Sequence, residues 1–281
     1  MAKKDFINIV NKRFSGKSKD ILLNQIDLFF SEEDVYKNKY NVGEDVLLKK
    51  GTFLHGILGG IDDFDYTVNN GFISTNFTSS ARANKIFNSV GFWNIREDMN
   101  LSDYINLYSG FTLSYSIGRG PEASIETILV PYHKFDEVTE EINNREDVWM
   151  YWGDQTKEVR FMPSLVSEKR QFAFILNMES EYAKKLAYND VWNLDFDRET
   201  VAPFLNEKYV DTFIEKDRIN PTPETTDRES AIMFGLPISL VEGVLVGRKI
   251  ENDSEALNHI KEKLPECYIC NLDGKVIVEN K

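Results

Sequence analysis

Apolar residues recur at helical spacing near the N-terminus of the chain. Residues 20–30 place them three and four positions apart, with Asp20 available as the cap of a helix. A basic segment precedes this stretch, and together they predict an N-terminal helical region over residues 1–45. The pattern then changes to a strand over 46–57, interrupted at Lys49-Lys50-Gly51, and to a short helix over 62–69.

The middle of the chain has mainly strand character, and the signals for secondary structure are clearest at the C-terminal end of the chain. Alternating or continuous apolar runs predict strands at 111–116, 125–130 and 171–176, while 190–227 has the prolines and charges of a long loop. A strand at 240–246 is followed by a helix that Asp253-Ser254 should cap and Pro265 should end. An Asp-Gly pair at 273–274 predicts a closing hairpin. These elements indicate an α+β domain over 46–281.

Charge narrows the range of partners. The 281 residues carry a formal net charge of -13, which repels phosphate backbones and makes nucleic acid an unlikely partner. No apolar run reaches the roughly 18–20 residues of a membrane span, and no signal-peptide core is present. We therefore expect a cytoplasmic protein without a membrane partner, although export by a dedicated secretion system would leave no such mark.

The sequence offers little for metal or phosphate-loop chemistry. Cys267 and Cys270 are the only cysteines, and a structural zinc site needs four ligands, for which His259 is the one further candidate nearby. We expect no metal and two reduced thiols on a strand. Neither GxGxxG nor GxxxxGK[ST] occurs, so a bound nucleotide would lack a Rossmann or P-loop cradle.

Two segments far apart in the chain place useful polar side chains on apolar strands. The segment 51–57 contains His55 followed by Gly56, whose missing side chain lets a ligand approach the backbone. The segment 228–246 begins with Glu229, continues through Gly-Leu-Pro and ends in an apolar strand that holds Glu242, a weaker candidate. A polar group in such a stretch is costly unless it has a partner, which makes these residues candidates for a site.

The order of these segments resembles the signature segments of the ADP-ribosyltransferase superfamily. A strand ending in His-Gly, a short helix and then Phe72-Ile73-Ser74-Thr75 is similar to the start of that domain. The resemblance implies that His55 orients NAD through a ribose, that the Gly56 backbone contacts the nicotinamide amide, and that Ser74 and Thr75 buttress the NAD site. The aromatic that stacks on nicotinamide is Tyr66, Phe72 or Tyr115.

The resemblance also implies a catalytic carboxylate. Glu229 would accept a hydrogen bond from the 2′-hydroxyl of the nicotinamide ribose and stabilise the cation that forms as nicotinamide leaves. Glu126, in the strand-like segment 123–131, is the rival for this role. The chain departs from the pattern of the Ser-Thr-Ser subclass at His55 and at Asn76, where that subclass has arginine and a third serine.

These implications define the expected protein. The fold would be ADP-ribosyltransferase-like, with two packed, mainly antiparallel sheets around an NAD cleft, flanking helices and an elaborated insertion at about 132–225. The function would be transfer of ADP-ribose from NAD to a macromolecular acceptor, most simply a protein, as in bacterial toxins, and NAD glycohydrolase activity could accompany it. The alternatives are a catalytically inactive binding module of bacterial or phage origin and an RNA 2′-phosphotransferase, which the acidity of the chain disfavours.

Overall fold

The computed structural model describes most of the chain. The described residues are 3–31, 35–57, 59–73, 89–108, 110–118, 124–131, 134–149, 160–163, 171–188 and 229–280. Over these residues the protein is a mixed α+β structure. Ser74, Thr75, the predicted long loop at 190–227 and most of the 132–225 segment lie outside them.

Two helices begin the chain and belong to its main core. Helix α1 covers Lys3–Arg13 and helix α2 covers Gly16–Phe29. Their apolar side chains, such as Phe6 and Leu22, are buried in one cluster with residues of the central sheet. The prediction of Asp20 as a cap was wrong, because the extended Ser15 is the N-cap and the helix begins one turn earlier. The proposed boundary between 45 and 46 stays a prediction.

The central sheet has seven strands in the order β11-β4-β2-β10-β13-β14-β15. Neighbouring strands are antiparallel except β13 and β14, which run parallel. The bounds in this order are Glu229–Met233, Ser89–Asn94, Phe53–Ile57, Phe172–Leu176, Val241–Val246, Tyr268–Cys270 and Val276–Val278.

The two faces of this sheet bury different cores. Alternation along β2 sends Phe53, His55 and Ile57 to one face and Leu54 to the other. The first face packs against α1 and α2 in the larger cluster. The second packs against helix α4, Leu101–Tyr108. β10 is buried on both faces, as its continuous apolar run predicted.

Smaller sheets and the remaining helices complete the described structure. A four-stranded sheet is formed by β6 (Gly110–Ile117), β7 (Ser124–Pro131), β8 (Val148–Trp149) and β9 (Arg160–Pro163). Two short pairs join β1 (Leu47–Leu48) to β5 (Met99–Asn100) and β3 (Phe72–Ile73) to β12 (Leu236–Pro237). The other helices are α3 (Ile61–Asn69), α5 (Phe135–Asn144), α6 (Glu181–Ala187), α7 (Arg248–Glu251) and α8 (Ser254–Lys263).

At the C-terminal end of the chain, the structure confirms the helix cap and the hairpin that the sequence predicts. The Asp253 side chain caps α8 by accepting hydrogen bonds from the backbone N–H groups of Glu255 and Ala256, both at 3.0 Å. The strands β14 and β15 form the predicted hairpin around Asp273-Gly274, with Gly274 at a φ of 75°. Within the described part of the chain, no helix is long and apolar enough to cross a membrane.

Candidate functional site

A cleft of about 610 Å³ opens at one end of the central sheet. It lies where β2 begins, β4 ends and β11 begins, with helix α6 and the residues before it forming the opposite wall. We call it the strand-end cleft. Its lining residues are Lys50, Gly51, Thr52, Phe53, Asn94, Met178, Glu179, Lys184, Ala187, Tyr188 and Ser230.

A tight turn and the strand register bring the polar lining residues together. The Thr52 N–H donates to the Lys49 carbonyl at 3.0 Å, and Gly51 in this turn has a φ of 92°. The Ile95 N–H then donates to the Thr52 carbonyl at 2.9 Å, which places Thr52 beside the end of β4. One strand further on, Ser230 of β11 lies opposite Phe92 of β4.

Three polar side chains of the strand-end cleft have no hydrogen-bond partner among the described residues. Thr52 and Ser230 are only 6% and 4% exposed, yet neither hydroxyl hydrogen-bonds any described residue. The Asn94 side-chain amide likewise has no described partner. Asn94 is half-buried, and none of the three is among the described side chains whose polar atoms are enclosed without a partner, so their polar atoms remain open to water or to a ligand in the cleft.

Charged groups and an aromatic ring stand at the rim. Lys50 and Lys184 line the cleft, and Glu179 is the carboxylate among the lining residues. The Lys184 ammonium lies 3.0 Å from Glu181 in an exposed pair, whereas the Lys50 ammonium has no ion pair within the described residues. Tyr188 is 69% exposed and is one of the residues that line the cleft. The rim is therefore more positive than the chain as a whole.

His55 lies further along the same face of β2. It is two residues from the cleft-lining Phe53, a step of about 7 Å along a strand. Its Nδ1 is 2.9 Å from the Gly91 carbonyl, which can only accept, so Nδ1 carries the proton. Its ring packs against Phe92 with 5.2 Å between centroids. In the neutral ring, Nε2 is then the acceptor. Gly56 is half-buried opposite Ala173 of β10.

Glu229 lies in the same sheet as His55. It is the first residue of β11 and pairs with Trp93 of β4, which in turn pairs with Leu54 of β2. Two strand spacings therefore separate the backbones of positions 229 and 54, about 10 Å. In this register position 229 belongs to the Leu54 face of the sheet, whereas Ser230 belongs to the His55 face. The two segments singled out from the sequence thus belong to one sheet, but positions 55 and 229 belong to its opposite faces.

The other residues proposed from the sequence are spread over the structure. Glu126 belongs to β7 of the four-stranded sheet, opposite Tyr115 of β6. Phe72 packs edge-on against Phe29 with ring centroids 5.3 Å apart, which is a core contact. Tyr66 is 54% exposed on α3. Neither Phe72 nor Tyr66 is among the residues that line the strand-end cleft.

The structure also places the groups considered for metal binding. No cluster of three or more His, Cys, Asp or Glu side chains that could hold a metal ion occurs among the described residues. His259 bonds Asp65 at 2.6 Å between α8 and α3. Cys267 and Cys270 are free, buried thiols, and burial raises the pKa of Cys267 to about 11 and that of Cys270 further.

A second buried polar group, the carboxylate of Glu242, accepts three hydrogen bonds at one oxygen. The carboxylate of Glu242 accepts from the backbone N–H and side chain of Asn38 at 3.2 and 2.9 Å and from Asn177 at 3.1 Å. The Asn177 oxygen accepts from the Glu179 N–H at 2.9 Å. Burial raises the pKa of Glu242 although these hydrogen bonds oppose the shift. We call Glu242, Asn38 and Asn177 the Glu242 cluster.

Sequence reasoning missed Thr52, Asn94 and Ser230 as site residues. Each is an ordinary polar residue at the end of a strand, and only the pairing of three distant strands brings them together. Comparisons with known protein families, with curated proteins and with solved structures give no match to this chain.

Proposed function

We propose that this protein is an NAD-dependent ADP-ribosyltransferase that acts at the strand-end cleft. The observation that carries the proposal is the meeting of the His55-Gly56 strand and the Glu229 strand on either side of β4. The polar side chains of the cleft support it, because they have no partner among the described residues and remain open to a ligand. A volume of about 610 Å³ is in the range of small-molecule and cofactor sites.

His55 would orient the substrate. The Nδ1 N–H of His55 donates to the Gly91 carbonyl, which sets the orientation of the ring, and we assign this ring the contact with a ribose hydroxyl. The contact with Phe92 fixes the plane of the ring.

Glu229 would stabilise the reacting centre. As nicotinamide leaves, positive charge develops on the ribose. A carboxylate held in position beside this charge lowers the energy of the transition state by several kcal/mol, the order of magnitude of an oxyanion-hole hydrogen bond. Glu229 is the first residue of β11, at the end of the sheet where the cleft opens, and its position alternates to the face opposite Ser230. ADP-ribose would pass to a macromolecular acceptor, and the net charge of -13 favours protein over nucleic acid as that acceptor.

Nicotinamide release from NAD by the purified chain tests this proposal. Wild type should turn NAD over, and Glu229→Gln should reduce the rate by about 100-fold or more, the loss of several kcal/mol of charge stabilisation. Glu126→Gln is the matched control, since it makes the same change in the other sheet. Equal rates for wild type and Glu229→Gln, with loss in Glu126→Gln, would transfer the catalytic role to Glu126.

A second candidate is a module with the same fold that binds its ligand without turnover. The observation that favours it is the register, which assigns position 229 to the face opposite His55. This candidate predicts that NAD binds the cleft, that no nicotinamide is released even with cell lysate as acceptor, and that Glu229→Gln leaves the affinity unchanged.

A further inference from the structure

The rim of the strand-end cleft pairs cationic side chains with partnerless hydroxyls. Lys50 follows the interruption of the first strand, and Lys184 lies on α6 across the cleft. Thr52 and Ser230, both nearly fully buried, lie between these walls at the strand ends. Ammonium and hydroxyl donors around one cavity are suited to an anion with several oxygens.

We propose that this end of the cleft is a diphosphate subsite, in which Lys50 and Lys184 neutralise the phosphates while Thr52, Asn94 and Ser230 donate to their oxygens. The inference deepens the proposed function, on which it rests for the identity of the full ligand. It assigns roles to residues outside the His55 and Glu229 segments.

The charges around the subsite favour an anion. The carboxylate that lines the cleft, Glu179, is opposed by two lysines. The exposed pair of Lys184 with Glu181 holds little free energy, so a phosphate can draw the ammonium away from it. The backbone N–H of Lys50 is fixed by the Asp98 carboxylate at 2.8 Å, which anchors the main chain while the side chain remains available.

The aromatic at the rim indicates what the diphosphate carries. Tyr188 lines the cleft at the end of α6 and is 69% exposed. A tyrosine face of this kind stacks on a planar base. The ligand class is therefore a nucleoside diphosphate or a molecule that contains one.

Calorimetric titration with inorganic pyrophosphate, ADP and NAD tests the subsite. The wild-type chain should bind all three, with ADP and NAD tighter than pyrophosphate. The double variant Lys50→Gln/Lys184→Gln should weaken pyrophosphate binding about tenfold or more, because two charge-assisted contacts are lost. Raising the salt concentration should weaken wild-type binding more than binding to the double variant.

The chain supplies matched controls for both lysines. Lys49 pairs with Asp98, and Lys185 is the exposed neighbour of Lys184 on α6; neither lines the cleft. Lys49→Gln/Lys185→Gln changes the net charge equally and should leave pyrophosphate affinity within about twofold of wild type. Equal weakening by the two double variants would mean a general effect of net charge and would overturn the subsite.

The outcomes separate this inference from the proposed function. Pyrophosphate binding that depends on Lys50 and Lys184, without nicotinamide release, would support the subsite and contradict the proposed enzymatic activity. Turnover of NAD with no pyrophosphate binding, or with binding insensitive to both lysines, would retain the enzyme and overturn the subsite. Absence of binding by all three ligands would also overturn it.

Discussion

The strand-end cleft and the Glu242 cluster are two buried polar regions with opposite character. In the Glu242 cluster, one carboxylate oxygen accepts three N–H donors, and Asn177 in turn receives the Glu179 N–H. In the strand-end cleft, the nearly buried hydroxyls of Thr52 and Ser230 have no partner among the described residues.

This difference separates polar groups that hold parts of the chain together from polar groups that a ligand can reach. A satisfied network recovers the cost of burying its members and fixes the chain around them, here the 35–41 segment and the residues after β10. Polar side chains that line a cleft are instead open to water or to a ligand, which can supply their partners. Glu179 contacts both regions, since its backbone is held by Asn177 and it lines the cleft.

The largest expected effect is on stability, from Glu242→Ala. Three N–H donors would lose their acceptor, and an unsatisfied buried donor costs about 1–3 kcal/mol, so we expect a loss of about 3 kcal/mol in the free energy of unfolding. Urea denaturation measures it. Glu242→Gln keeps an acceptor oxygen, so its free energy of unfolding should fall much less. An unchanged free energy of unfolding in Glu242→Ala would show that the Glu242 cluster does not stabilise the fold.

The reverse result is expected in the cleft from Thr52→Val/Ser230→Ala. Each lost hydrogen bond to a ligand is worth about 0.5–1.5 kcal/mol, so NAD affinity should fall about tenfold. The free energy of unfolding should stay equal or rise, since two partnerless polar groups are removed. Titration calorimetry and urea denaturation of the same variant check both parts, and unchanged NAD affinity would contradict the ligand role.

Measuring the free energy of unfolding over a range of pH tests the role of Glu242 further. Its folded pKa is raised above the ordinary 4.5, so its contribution to stability is fully present below that value and is lost as pH rises through the folded pKa. Glu242→Gln lacks this titration. The free energy of unfolding of Glu242→Gln, relative to that of wild type, should therefore increase as the pH rises above about 4.5. A difference that is constant with pH, or that falls, would contradict the raised pKa.

The smallest expected effect concerns the two cysteines. Burial raises the pKa of Cys267 to about 11, and Cys270 is fully buried in β14, so both thiols should resist alkylation at pH 8 until the chain unfolds. Labelling rates with and without urea measure this. Saturating NAD should leave the labelling rate low, and rapid labelling of the native protein would show that this side of the sheet opens readily.

Local signals in the sequence predict the elements best where one short segment carries all the information. The Asp253 cap, the hairpin at Asp273-Gly274 and the doubly buried β10 each depend on a few adjacent residues. The cap at Asp20 failed because a polar residue inside an exposed helix turn resembles a cap in sequence.

The site was less predictable, for a physical reason. Thr52, Asn94 and Ser230 come from strands far apart in the chain, and the register that aligns them depends on long-range pairing. Glu242 stood out in the sequence as a charge in an apolar run, but its partners Asn38 and Asn177 make it structural. A polar residue in an apolar strand can therefore belong to a hydrogen-bonded cluster or line a cleft, and only its hydrogen-bond partners in the structure distinguish the two cases.

The most direct test is an experimental structure of Glu229→Gln with NAD, since the substitution should leave the cleft intact while slowing turnover. We expect the diphosphate between Lys50 and Lys184, hydrogen bonds from Thr52 and Ser230, and a ribose hydroxyl on His55. NAD bound at another surface, or an empty strand-end cleft at saturating NAD, would contradict the assignment of the cleft as the NAD site.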